Sequence, residues 1–125
     1  MDLYRDNILD HYRNPRNFGK IENPDFQAEE NNPLCGDKIK MEIKLLTTHY
    51  PLQTIQDIKF SGVGCAISMA SASMLTEKVK GKSIAEIKNL KSEDILEMLG
   101  VTLTPTRLKC ALLPLEVLHK AISSK

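Results

Sequence analysis

The chain begins with a helical pattern: Tyr4, Ile8 and Tyr12 recur every fourth position through residues 2–13, predicting a helix that docks along that stripe. Asn14-Pro15 and Phe18-Gly19 end it and open a loop that runs to Pro24, and residues 26–31 read as a short edge strand. The period then shortens to two. In KIKMEIKLL (38–46), Ile39, Met41, Ile43 and Leu45 alternate with Lys38, Lys40, Glu42 and Lys44, as in a sheet with one buried face. A turn through Thr48-His49-Tyr50-Pro51 leads to a second strand near 54–61 with Ile58 and Phe60 on one side, so the pair reads as an antiparallel hairpin.

Beyond SGVG at 61–64 the pattern is helical again. CAISMASASMLTEKVKG predicts a helix ending near Gly81, rich enough in Ala and Ser for its backbone to approach a neighbour closely. Ser83 and Glu86 form a capping box for a short helix at 84–90, and a further helix fits 93–99 with Gly100 as its stop. TRLKCALLPLEVLHKAI is helical around Pro114, with the helix either starting near Leu113 or breaking there, and Leu115, Leu118 and Ile122 form its packed face. The sum is an α+β fold, a small antiparallel β-sheet packed on one side by helices. No repeat, low-complexity tract or linker divides the chain, so residues 1–125 are expected to form a single domain.

Charge narrows the function classes. Seventeen basic and sixteen acidic residues nearly cancel, Trp is absent, and no basic run interleaves with aromatics, so nothing supports a nucleic-acid partner. The N-terminal stretch mixes charged and apolar residues, and no apolar run is long enough for a bilayer, so no membrane role is expected. A reducing, cytoplasmic setting is the default, and three cysteines, an odd number, argue against a disulfide framework.

Those cysteines carry the candidate chemistry. In PLCGD (33–37), Cys35 and Asp37 share the parity of Ile39 and Met41 if the strand extends backwards, which would aim both at one face of the sheet's end. SGVGC leads from a strand into a helix and places Cys65 at the helix start, where free N–H groups favour a thiolate. Cys110 lies beside Lys109 and near Arg107, and neighbouring cations lower a thiol pKa in the same way. All three cysteines read as sitting at a turn or element boundary. Their separations of 30 and 45 residues match no zinc-finger spacing, so two readings stay open: one site assembled by the fold, or three cysteines filling separate gaps in the core.

The stretches DHYRNPRN (10–17), NNPLCGD (31–37), FSGVGCAISMASASMLTE (60–77) and RLKCALLPLEVL (107–118) resemble, in order, the IscU/SufU family, which shares its fold with the N-terminal domain of NifU. The resemblance implies a sulfur acceptor and scaffold rather than a stand-alone enzyme. In that family a pyridoxal-phosphate cysteine desulfurase delivers persulfide sulfur, and a transient [2Fe–2S] cluster is built and passed to apo iron–sulfur proteins. It also implies a ligand set of Cys35, Asp37, Cys65 and Cys110, which in the family binds Zn²⁺ as well. Asp37, a harder ligand than thiolate, would keep a cluster labile.

Three departures are visible. The IscU branch has a histidine before the third cysteine; Lys109 stands here, as in the SufU branch, whose members are proposed to act as zinc-dependent sulfur relays that activate the desulfurase. That branch usually carries an insertion between its second and third cysteines, for which the 44 residues between Cys65 and Cys110 leave no room. The Leu-Pro-Pro-Val-Lys segment of the IscU branch is Leu103-Thr104-Pro105-Thr106-Arg107 here, which speaks against docking to a dedicated Hsp70 chaperone. Cys35 is the favoured sulfur acceptor, Cys110 the rival, and Lys109 a candidate for tuning the thiolates or contacting the desulfurase. Of the histidines, His49 and His119 read as surface residues and His11 as a packing or partner-contact residue, so a Cys–His catalytic pair is set aside.

Overall fold

A computed structural model describes residues 3–33, 36–46 and 53–123. The elements are α1 (Leu3–Arg13), β1 (Phe26–Asn32), β2 (Asp37–Leu46), β3 (Thr54–Val63), α2 (Ala66–Val79), α3 (Ile84–Lys88), α4 (Ser92–Leu99) and α5 (Pro105–Ser123). The strands form one antiparallel sheet in the order β1-β2-β3. The period-two pattern explains the layering: Ile39, Met41 and Ile43 of β2, with Ile58 and Phe60 of β3, are fully buried on one face. Helix α5 covers that face over β1 and β2, α2 covers it over β3 and packs on α5, and α1 lies on α2. Ile55 and Ile58, three residues apart, both point inward because a register irregularity at Lys44/Leu45 resets the parity. The predicted turn containing His49 lies outside the described residues.

The free edge of β3 is covered at both ends. The Gly19 N–H donates to the Phe60 carbonyl at 2.8 Å and the Phe60 N–H to the Asn17 carbonyl at 2.9 Å. Farther along, the Ile55 N–H reaches the Lys82 carbonyl and the Gly81 N–H the Ile55 carbonyl, both at 2.9 Å. An edge satisfied this way offers little template for pairing with another chain. Gly62, at φ +132° opposite Ile39, is forced by close approach, since a Cβ there would strike the Lys38 carbonyl oxygen.

Two expectations need correction. In α1 the buried residues are Ile8 and His11, whereas Tyr4 and Tyr12 are 55% and 45% exposed. The reason lies in α2, which offers α1 a hydroxyl-lined face: His11 Nδ1 pairs with Ser73 Oγ at 2.7 Å, and the Arg16 N–H donates to the same oxygen at 2.9 Å. The tyrosines flank this contact, the Tyr4 ring lying against Gly100. The second correction concerns α5, which neither starts nor breaks at Pro114 but runs unbroken from Pro105. Pro105 occupies the first turn, where its missing N–H costs nothing. Pro114 has no N–H to give the Cys110 carbonyl, and next to that gap the Ser71 hydroxyl of α2 donates to the Ala111 carbonyl at 2.7 Å. Leu115, Leu118 and Ile122 are all buried, as the pattern predicts. His119 is half-buried rather than simply at the surface, its Nε2 donating to the Ile87 carbonyl at 3.0 Å.

Burial holds the His11 pKa below its ordinary value; the nearby Arg16 charge adds to this, and Glu77 and Asp10 oppose it only in part. Folding therefore favours neutral His11, a contribution fully present above the ordinary histidine pKa of about 6.5 and lost as pH falls below it. Thermal unfolding followed from pH 7.5 to 5.5 is expected to show a falling Tm, and His11→Gln is expected to flatten that dependence. Gly62→Ala is expected to cost about 1–3 kcal/mol in urea unfolding, from strained backbone and the clash with Lys38.

Candidate metal centre

The register of the β2–β3 hairpin determines which residues meet. Lys38 pairs with Val63, so Asp37, the first residue of β2, stands beside the Gly64-Cys65 link that leaves β3. Cys65 has extended backbone, φ −74° and ψ 172°, and is the N-cap of α2. Its carbonyl accepts the first helical bond from the Met69 N–H at 3.0 Å and a second bond from the Ser68 hydroxyl at 3.1 Å. From the third direction α5 brings Cys110, fully buried and within the helix rather than at an element boundary.

Ligand atoms of Asp37, Cys65 and Cys110 all lie within 4.8 Å of one another. Asp37 is 1% exposed, and its two oxygens differ. Oδ1 accepts the Cys65 backbone N–H at 3.0 Å, whereas Oδ2 is buried with no hydrogen-bond partner among the described residues. A buried carboxylate oxygen in that condition costs several kcal/mol unless a cation or donor meets it. Cys65 is half-buried and is the more accessible of the two sulfurs.

Burial pushes the Cys65 thiol up, but the Ser68 amide and hydroxyl and the Cys110 thiol outweigh burial, so its pKa lies below the ordinary cysteine value despite the adverse Asp37 charge. Two soft sulfur donors and one orphaned carboxylate oxygen suit zinc or iron; an oxygen-only cation such as Mg²⁺ or Ca²⁺ would find them a poor set.

Of the predicted site residues, the structure brings together Asp37, Cys65 and Cys110. Cys35 lies outside the described residues. Strand β2 does not extend backwards beyond Asp37: Gly36 turns at φ +72°, its N–H donating to the Asn32 carbonyl at 2.9 Å, so the alternation that predicts Asp37's direction stops there. Lys109 is exposed on α5 and lines a hollow of about 180 Å³ with Asn31, Asn32, Pro33, Leu113 and Glu116. Sequence reasoning missed Ser68 and Gly64. A Cβ at Gly64 would strike the Ser68 hydroxyl and come to 3.1 Å from Asp37 Oδ1. The only sequence signal for either is adjacency to the SGVGC turn.

Residues 3–124 match the family model described as NifU-like N terminal domain. The chain is 42% identical over 119 residues to an iron–sulfur cluster assembly scaffold protein IscU of Aquifex aeolicus, covering 95% of this chain and 73% of the relative. It is 38% identical to the zinc-dependent sulfurtransferase SufU of Bacillus subtilis, covering 98% and 91%. That alignment spans 140 positions against 125 residues here, so SufU carries residues this chain lacks. Among solved structures, a putative iron–sulfur cluster assembly scaffold protein for the SUF system of Fervidobacterium islandicum superposes with a TM-score of 0.77 at 28% identity, covering 98% of this chain and 96% of that one. A match that runs from the start of α1 past the end of α5, and so takes in all three strands and the residues gathered at their rim, places the chain in the NifU-like N-terminal domain family.

Proposed function

We propose that this protein is an iron–sulfur cluster assembly scaffold. It accepts sulfur from a pyridoxal-phosphate cysteine desulfurase, takes up iron, and, with an external electron donor reducing persulfide sulfur to sulfide, builds a [2Fe–2S] cluster and passes it to apo-proteins. One observation carries the reading: two thiols and a buried carboxylate converge within 4.8 Å, and one carboxylate oxygen has no partner among the described residues. The IscU and SufU relatives support it through the activities for which they are named.

The roles follow from the donors. Cys35, Asp37, Cys65 and Cys110 form the proposed ligand set, for iron during assembly and for Zn²⁺ otherwise. In sulfur delivery a scaffold thiolate attacks the outer sulfur of the desulfurase persulfide; the S–S bond breaks, the desulfurase cysteine leaves as thiolate, and no net redox change occurs. Cys35 is the proposed acceptor and Cys110 the rival, which its complete burial disfavours. The Asp37 carboxylate binds iron less tightly than a fourth thiolate would, which suits a site that must release its cargo.

A second reading, a zinc-dependent sulfur relay that activates the desulfurase and holds no cluster, is favoured by Lys109 and by the SufU relative. The missing residues relative to SufU weigh against it. Anaerobic reconstitution with a desulfurase, cysteine, a thiol reductant and ferrous iron, followed by addition of apo-ferredoxin, separates the two. Visible cluster absorption that moves to the ferredoxin is the expected result. Absence of a cluster, with desulfurase turnover rising only with zinc-loaded protein, would establish the relay instead.

Cys65→Ser and Cys110→Ser are each expected to weaken zinc binding, measured against a chromophoric chelator, by more than the roughly 10- to 100-fold that loss of an outer-shell partner costs. Lys109→Ala is expected to leave zinc affinity within about twofold, because it is not one of the proposed ligands.

A further inference from the structure

The two oxygens of Asp37 stand in different environments, which gives the residue a second task. Cys65 is the N-cap of α2, so its N–H precedes the first turn and has no acceptor within the helix. Its own side chain makes no capping bond. The acceptor comes instead from another element, 28 residues earlier in the chain: Asp37 Oδ1, at 3.0 Å. The opposite oxygen, Oδ2, is buried without a hydrogen-bond partner among the described residues.

We infer that Asp37 is a positioning residue for Cys65 as well as a ligand: Oδ1 ties the start of α2 to the start of β2, whether or not a metal is bound, while Oδ2 is the oxygen offered to the metal. The inference rests on the metal-site reading only for Oδ2. The bond from Oδ1 is charge-assisted and withdrawn from water, which makes it stronger than a neutral cap. It also holds Cys65 at the sheet rim when the metal leaves, so that release of cargo need not unseat the helix that carries the thiol. Gly64 belongs to the same device. Hydrogen alone at this position leaves room for the Ser68 hydroxyl and for Oδ1, whereas a Cβ would collide with the first and crowd the second.

Amide hydrogen exchange read by NMR on the full chain, with metal removed by a chelator, tests this directly. Cys65 is expected to exchange slowly in the native protein. Asp37→Asn keeps an acceptor oxygen and is expected to retain most of that protection. Asp37→Ala is expected to speed exchange at Cys65 by roughly 10- to 100-fold, the worth of a hydrogen bond to a charged group, while Ala70 and Ala72 in the interior of α2 stay at native rates. Gly64→Ala leaves every proposed ligand in place and is expected to speed exchange at Cys65 in the same local way.

Native-rate exchange at Cys65 in Asp37→Ala overturns the tether, as does equal loss of protection in Asp37→Asn and Asp37→Ala. If Asp37→Ala does not fold, Gly64→Ala decides: slow exchange at Cys65 overturns the inference and local acceleration sustains it. Zinc titration keeps the two roles apart. Asp37→Asn is expected to lose at least about tenfold in zinc affinity while keeping Cys65 protected. Unchanged affinity with protection intact would remove Asp37 from the ligand set and leave the tether standing.

Discussion

A carboxylate that is 1% exposed is the constraint around which this structure is arranged. Charge taken out of water is tolerated only where hydrogen bonds or a counter-charge replace the lost hydration. The Cys65 N–H supplies part of that replacement, and in the proposed site a cation held with the Cys65 and Cys110 sulfurs would supply the rest. The direction of Asp37 is in turn fixed by packing. It has the parity of Ile39, Met41 and Ile43, whose burial anchors the sheet. A one-residue slip of β2 would turn those three side chains to solvent and Asp37 with them. The apolar alternation that drives folding thus also aims the ligand.

The helix bearing Cys65 is held by polar stitching more than by bulk. Ser68, Ala70, Ser71, Ala72, Ser73 and Thr76 are all fully buried, and small side chains there let neighbours come close. Serine and threonine are modest helix formers because their hydroxyls compete for backbone groups. Here several of those hydroxyls look outward along different directions. Ser73 serves α1 through His11 and the Arg16 N–H, Ser71 serves α5 through the Ala111 carbonyl, and Ser68 serves the helix's own N-cap, Cys65. The Ser71 bond falls next to the backbone gap left by Pro114 and one residue from Cys110. Helix α2 therefore begins at one of the two sulfur-bearing residues and is bonded to α5 one residue from the other.

Much of this was legible in the sequence. Alternation in KIKMEIKLL predicts β2 and its buried face, and the parity argument carries correctly to Asp37. It fails at Gly36, because a left-handed turn has no period to extend. The glycine turn before Cys65 predicts the helix start because turn and cap chemistry are local. The two misjudged helices failed for a shared reason. The Tyr4–Ile8–Tyr12 stripe and the break at Pro114 follow from local preference alone, whereas α1 is turned by a Ser73 contact 62 residues away in sequence and α5 passes through Pro114 beside a Ser71 bond that spans 40 residues. Which serine faces which neighbour depends on how helices pack, and a run such as SMASAS reads the same in every orientation.

The electrostatics of the thiols point the same way as the orphaned oxygen. Ser68 and Cys110 favour the Cys65 thiolate, and the Asp37 charge opposes it. Ionising a second sulfur beside the first and beside a buried carboxylate would multiply that repulsion, since each charge sits where little water screens it. A divalent cation reverses the sign of every one of these terms at once, which is why metal uptake at thiolate sites releases protons and weakens in acid. The arrangement is thus poor at holding its negative charge alone and good at sharing it with a metal. With a carboxylate in place of one thiolate, it shares that charge less firmly than a permanent cluster site would, and the tether through Oδ1 leaves the protein part of the site standing when the cargo departs.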